Sequence, residues 1–175
     1  MTRRFRFAST VMLVLTYVAA ACGGSRSRLT GVSPQTPNDA LSQFMDAVKA
    51  NDLTRMGNLW GSQKGPASTY MNGDRLKRTL QTIHVYWDHK GYRVIEGPMS
   101  AQPLNPTFKD VPSMDRLRDF RVELQRANGC LAVVPITMVL TDQGTWLVYD
   151  VHLESAGNPA AQCQPSTGGG QGTKP

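Results

Sequence analysis

Asp150 and His152 are the two residues of this 175-residue chain whose types and spacing best suit proton transfer. Two apart on a strand, they share a face. An aspartate and a histidine side by side can pass a proton to or from a carbon next to a carbonyl. In the run 146–154 an unbroken alternation puts Trp146, Val148, Asp150, His152 and Glu154 on one side. Leu147, Tyr149, Val151 and Leu153 fall on the other. The second set is the more apolar, so the pair is expected to face solvent as part of a polar strand face, and catalysis is the secondary reading. His84, Asp88 and His89 are the only clustered candidates for metal ligation. The two histidines match neither the helical i, i+4 spacing nor a same-face strand pair, and zinc sites need three or four converging ligands. No metal is expected; the segment reads as a helix end, with Tyr86 and Trp87 packing and the polar residues wetted. Trp60, Tyr86, Trp87 and Tyr92 could line a ligand pocket, but aromatics at these spacings are more often core. Arg116, Arg118, Arg121 and Arg126 alternate with Asp115, Asp119 and Glu123, which reads as a solvated, ion-paired surface. The chain has no phosphate-cradling glycine loop, nucleophile elbow, paired-cysteine redox motif or calcium loop, and no cofactor is expected.

Local signals supply the elements that would carry these residues. Thr36 caps a helix with Pro37 at its first position, and Leu41, Phe44, Met45 and Val48 form one apolar stripe. Asn51-Asp52 breaks the run. Asp52 caps a second helix carrying Leu53, Met56 and Trp60, and Gly61 ends it as a left-handed residue. Asn72 or Asp74 caps a third, with Leu76, Leu80 and Ile83 opposite Arg75, Lys77 and Arg78. From Gly91 the period changes to two. Tyr92 to Gln102 reads as a strand interrupted near Gly97-Pro98, and Pro103 to Pro112 as a turn-rich connection. Phe120, Val122 and Leu124 alternate with polar residues in a half-buried strand. Asn128-Gly129 is a tight hairpin turn into Cys130–Leu140, and Asp142-Gln143-Gly144 turns into Trp146–Glu154. The middle run is apolar on both faces, so it should be the central strand, with a bulge at Pro135.

Helices followed by a curved antiparallel sheet, with Pro37–Asp52 as opening helix and turn and Gly144–Val151 as closing strand, resemble the NTF2-like (SnoaL-like) α+β cone fold. The resemblance covers most of residues 37–155 and implies N-terminal helices packed on the sheet, with a pocket between them. Members of that family include isomerases, cyclases, dehydratases and non-catalytic binding or assembly modules, so fold does not fix function. A non-catalytic domain that binds a small apolar ligand or docks another protein is expected first; an isomerase or hydrolyase using the His/Asp pair is the alternative.

The ends of the chain speak to its location. Arg3, Arg4 and Arg6, an apolar run from Phe7 to Val18 and Ala19-Ala20-Ala21 form a secretory leader. With Cys22 next, residues 1–21 resemble a bacterial lipoprotein signal, although Ala19 stands where that pattern usually has leucine. The resemblance implies lipidation of Cys22 and a membrane anchor. The apolar run falls short of the roughly 20 residues needed to span a bilayer. Residues 22–36 read as a flexible tether, 37–155 as the domain and 156–175 as a disordered, low-complexity tail. Gly23 after the anchor, where aspartate would favour retention in the inner membrane, points in a cell with two membranes to the outer one, facing the periplasm. Removing the leader takes away three arginines and no acid, so the formal charge of +6 falls to +3. That modest balance gives no reason to expect nucleic acid. With Cys22 lipidated, Cys130 and Cys163 remain as one candidate disulfide, worth about 3–4 kcal/mol in the chain-entropy model.

Overall fold

The computed structural model describes residues 33–101 and 112–160. Thr36 starts the first helix, α1 (Pro37–Lys49), its hydroxyl accepting the Asp39 N–H at 3.1 Å. The expected stripe is buried, with Phe44, Met45 and Val48 fully excluded from solvent. Asn51 closes the helix in the left-handed region, φ 51°, which asparagine tolerates. Its N–H donates to Val48 O, and that of Asp52 reaches back to Ala47 O at 2.9 Å, so two end carbonyls are satisfied. Asp52 at once caps α2 (Leu53–Leu59), its Oδ1 accepting from Arg55 N at 2.9 Å.

Gly61 does not end α2 in a left-handed turn. Trp60 is the extended C-cap, and Gly61 opens a two-residue strand, β1 (Gly61–Ser62), paired with β2 (Gly65–Pro66). A Cβ at Gly61 would lie 2.2 Å from Gly65 O, so close approach is what requires glycine here. A 3-10 turn, Ala67–Thr69, leads to α3 (Gly73–Trp87), capped by Asn72, whose Oδ1 accepts from both Asp74 N and Arg75 N.

Four antiparallel strands follow as a meander: β3 (His89–Ser100), β4 (Leu117–Arg126), β5 (Leu131–Leu140) and β6 (Trp146–Val151). The architecture of the described residues is thus α+β, three helices and a curved antiparallel sheet. Curvature follows from register shifts in β3 near Gly91, Ile95 and Gly97-Pro98, and in β6 at Tyr149. Both hairpins use three-residue loops: the first replaces the tight two-residue turn expected at Asn128-Gly129, and the second is the expected Asp142-Gln143-Gly144 turn. Gly129 (φ 86°) donates to Arg126 O and Gly144 (φ 79°) to Thr141 O, each glycine taking the left-handed position that closes the turn.

Pro135 causes no bulge. The β4 ladder runs unbroken through Arg121↔Pro135, and β6 stops pairing at Ile136↔Val151, so the proline costs no bond on that side. Nor is β5 covered along its length, since Leu131 and Val133 are exposed and only Ile136 to Val139 are buried in succession. The helix-facing side of the sheet (Phe120, Val122, Leu124, Val134, Ile136, Met138, Val148, Val151) packs on α1, α2 and α3 in one cluster. A second cluster of Ala101, Leu117, Val139, Leu147 and Tyr149 lies on the opposite side. Before α1, buried Pro34 is already fixed, its carbonyl accepting the Trp146 N–H at 2.9 Å. Beyond β6, a 3-10 turn over Leu153–Ala156 buries Ala156. Among the described residues no helix is long and apolar enough to cross a membrane.

Candidate functional site

The bulge at Tyr149 decides where the predicted pair goes. Thr137 pairs with Asp150 and Met138 with Val148, leaving Tyr149 opposite no residue. The extra residue reverses the alternation beyond it. Val148 and Val151 both face the helices, whereas Tyr149 and Asp150 face the other way. Asp150 is therefore not on the Trp146/Val148 side and not in open solvent; it is 5% exposed, its Oδ1 accepting the Val151 N–H at 2.9 Å. His152 lies beyond the strand end, half-buried, with Nε2 3.9 Å from Asp150 Oδ2 and Nδ1 3.2 Å from Glu154 Oε1.

A third carboxyl joins them. Asp119 on β4 pairs with Thr137 on β5, and the Thr137 hydroxyl donates to Asp119 Oδ1 at 2.6 Å. Burial pushes the Asp119 carboxyl above its ordinary range; the Thr137 hydrogen bond and His152 oppose the rise, and the Asp150 charge adds to it. Asp119, Thr137, Asp150 and His152 thus form one polar group on the sheet side away from the helices. A carboxyl that keeps its proton to higher pH beside a carboxylate and an imidazole is suited to acid–base work. The same arrangement also satisfies a buried polar network without chemistry. Thr137 carries the one sequence signal for this group, being the only hydroxyl side chain in the apolar run 131–140. The partnership with Asp119 has no local signature.

The other candidates separate. His84 Nδ1 lies 3.0 Å from Val48 O, and Asp88 is the α3 C-cap. His89 is buried rather than wetted, with Nδ1 2.8 Å from Trp87 O and its ring edge-on to Tyr92. Burial lowers the His89 pKa, its bond to Trp87 O opposing that fall. No group of three metal-ligating side chains occurs among the described residues. Trp60 and Trp87 are 1% and 0% exposed within the core, and Tyr86 and Tyr92 pack against it. These aromatics build the core rather than line a cavity. Trp87 meets Phe44 edge-to-face at 6.3 Å.

The arginines take partners remote in sequence. Arg116 pairs with Asp142 and Arg121 with Glu96, while Arg118 lies over the Trp146 ring. Arg126 is buried rather than solvated and donates to Tyr86 O. Cys130 follows the hairpin turn, its N–H donating to Asn128 Oδ1 at 3.0 Å. Its expected partner Cys163, like Cys22, lies outside the described residues.

One hollow was not foreseen. Between α2 and α3 lies a groove of about 410 Å³, floored by Leu53, Gly57, Leu76 and Leu80 and rimmed by Thr54, Asn58, Ser68 and Lys77. Gly57 sets its depth: a Cβ there would meet Leu80 Cδ1 at 3.3 Å and Leu76 Cδ2 at 3.4 Å.

No family model, curated protein or solved structure matches the chain.

Proposed function

We propose that this is a lipid-anchored envelope protein whose NTF2-like domain binds rather than catalyses, taking a small apolar ligand or docking an envelope partner. The carrying observation is the filled helix–sheet interior, where Phe44, Trp60, Trp87 and Phe120 are each at most 1% exposed. In a cone of this kind an active site would occupy that space. Cys22, after the basic and apolar leader, is the residue read as the lipid attachment point. On this reading the outer membrane holds the protein facing the periplasm, and Cys163 is the partner of Cys130.

A second reading, an isomerase or hydrolyase, draws support from the convergence of Asp119, Asp150 and His152. One variant separates the two. The double substitution Asp150→Asn/His152→Ala leaves the cellular phenotype intact on the binding reading, and its loss in a folded double variant favours the enzyme. For the anchor, intact mass of the mature protein is compared with a Cys22→Ser control; an unmodified wild-type thiol overturns lipidation. Peptide mapping without reduction tests the Cys130–Cys163 bridge.

A further inference from the structure

The α2–α3 groove has a chemical polarity that selects a ligand. Its floor is aliphatic, lined by Leu53 and by Leu76 and Leu80, which close on Gly57. No acidic side chain lines it. The Ser68 hydroxyl donates to Asn58 Oδ1 at 2.7 Å, which fixes which end of that amide faces Ser68 and leaves the NH₂ as the donor end. Lys77 stands on the same rim, exposed, and no carboxylate among the described residues pairs with it. An apolar trough edged by an ammonium and an amide donor is complementary to a molecule with an aliphatic body and an anionic head. Its volume lies at the lower end of small-molecule sites.

We infer that this groove is a binding site for an aliphatic monocarboxylate, the chain lying on Leu53, Leu76 and Leu80 and the carboxylate meeting Lys77 and the Asn58 amide. This rests on the binding reading above and names its ligand class. Gly57 is then a specificity residue, because a side chain there would occupy the space against Leu76 and Leu80 that the ligand chain needs.

The test is titration of the intact chain with decanoate, followed by calorimetry and by the backbone amide resonances of Gly57 and of Gly73, which also lines the groove. Acetate supplies the head without the chain, and decanol the chain without the head. Decanoate should shift both glycines, with acetate at least tenfold weaker. Lys77→Gln, on an exposed helix position, should weaken decanoate about tenfold and leave decanol unchanged, while Lys77→Arg retains binding. Asn58→Asp should weaken it too, by placing a like charge at the head. Decanoate binding that ignores Lys77→Gln, or that shifts amides elsewhere, overturns the site. Either result leaves the binding reading standing, since that reading is tested separately by the Asp150→Asn/His152→Ala double variant.

Discussion

Truncation of Trp87 is the sharpest probe of whether the space between helices and sheet is solid core or ligand cavity. The indole is wholly buried and edge-on to Phe44. If the interior is close-packed, Trp87→Ala removes the buried ring and leaves a void, which costs about 3–5 kcal/mol. Single domains have only about 5–15 kcal/mol in total, so the variant loses a large part of its stability. Trp87→Phe behaves differently. A phenyl ring keeps most of the aromatic pairing, itself worth about 0.5–1.5 kcal/mol. It also deletes an indole N–H that no protein acceptor reaches among the described residues, a buried donor whose desolvation costs about 1–3 kcal/mol. Gain and loss nearly offset, and Trp87→Phe should fall within about 1.5 kcal/mol of wild type. Urea unfolding followed by circular dichroism measures both. An alanine variant that loses less than about 1 kcal/mol would show that the interior tolerates a void, as a pocket does, and the argument for a filled cone would fail. A phenylalanine variant as damaged as the alanine one would refute the reasoning about the indole N–H.

Three further outcomes follow from the polar groups. His89 has a folded-state pKa below its ordinary 6.5, so the unfolded chain binds more protons through that range; stability should fall as pH drops through about 6.5, and melting curves of His89→Gln should show a shallower slope. Asp119 has the opposite sign: its folded pKa lies above 3.8, so its contribution weakens as pH rises from there through the raised value, and Asp119→Asn should remove that dependence in the same melts. Asn72→Ala deletes the acceptor of two α3 N–H groups and should cost about 1 kcal/mol by chemical denaturation.

Helices were the most legible part of this chain because their signals are local. Thr36, Asp52 and Asn72 each sit next to the backbone N–H they accept, and the apolar stripe of α1 needs no knowledge of what it packs against. The strands of the meander were legible as strands for a similar reason, through alternation in β4 and glycines at the turns. What escaped was set by distant partners. The bulge at Tyr149 exists because both Val148 and Val151 are drawn to the helix-facing core, a demand that no residue within β6 announces. That one inserted residue moves Asp150 across the sheet and next to Asp119, so the candidate site is only half legible in the sequence: Asp150 and His152 signal each other by spacing, whereas Asp119, set among alternating arginines, reads as solvated surface and is instead half-buried against Thr137. Pro135 misled because its effect depends on where β6 ends. The α2–α3 groove depends on a missing side chain at Gly57, a position that carried no mark of its own.

The attachment of Pro34 to Trp146 fixes how the fold meets mechanical load. Tension arriving from residues before 33 is met at the first residue of β6, since the Pro34 carbonyl is held by the Trp146 N–H. The force is shared with the sheet before α1 can begin to unwind. A tug that breaks this hydrogen bond reaches the Thr36 cap next, so the clasp on β6 stands ahead of the helix in the path of the load.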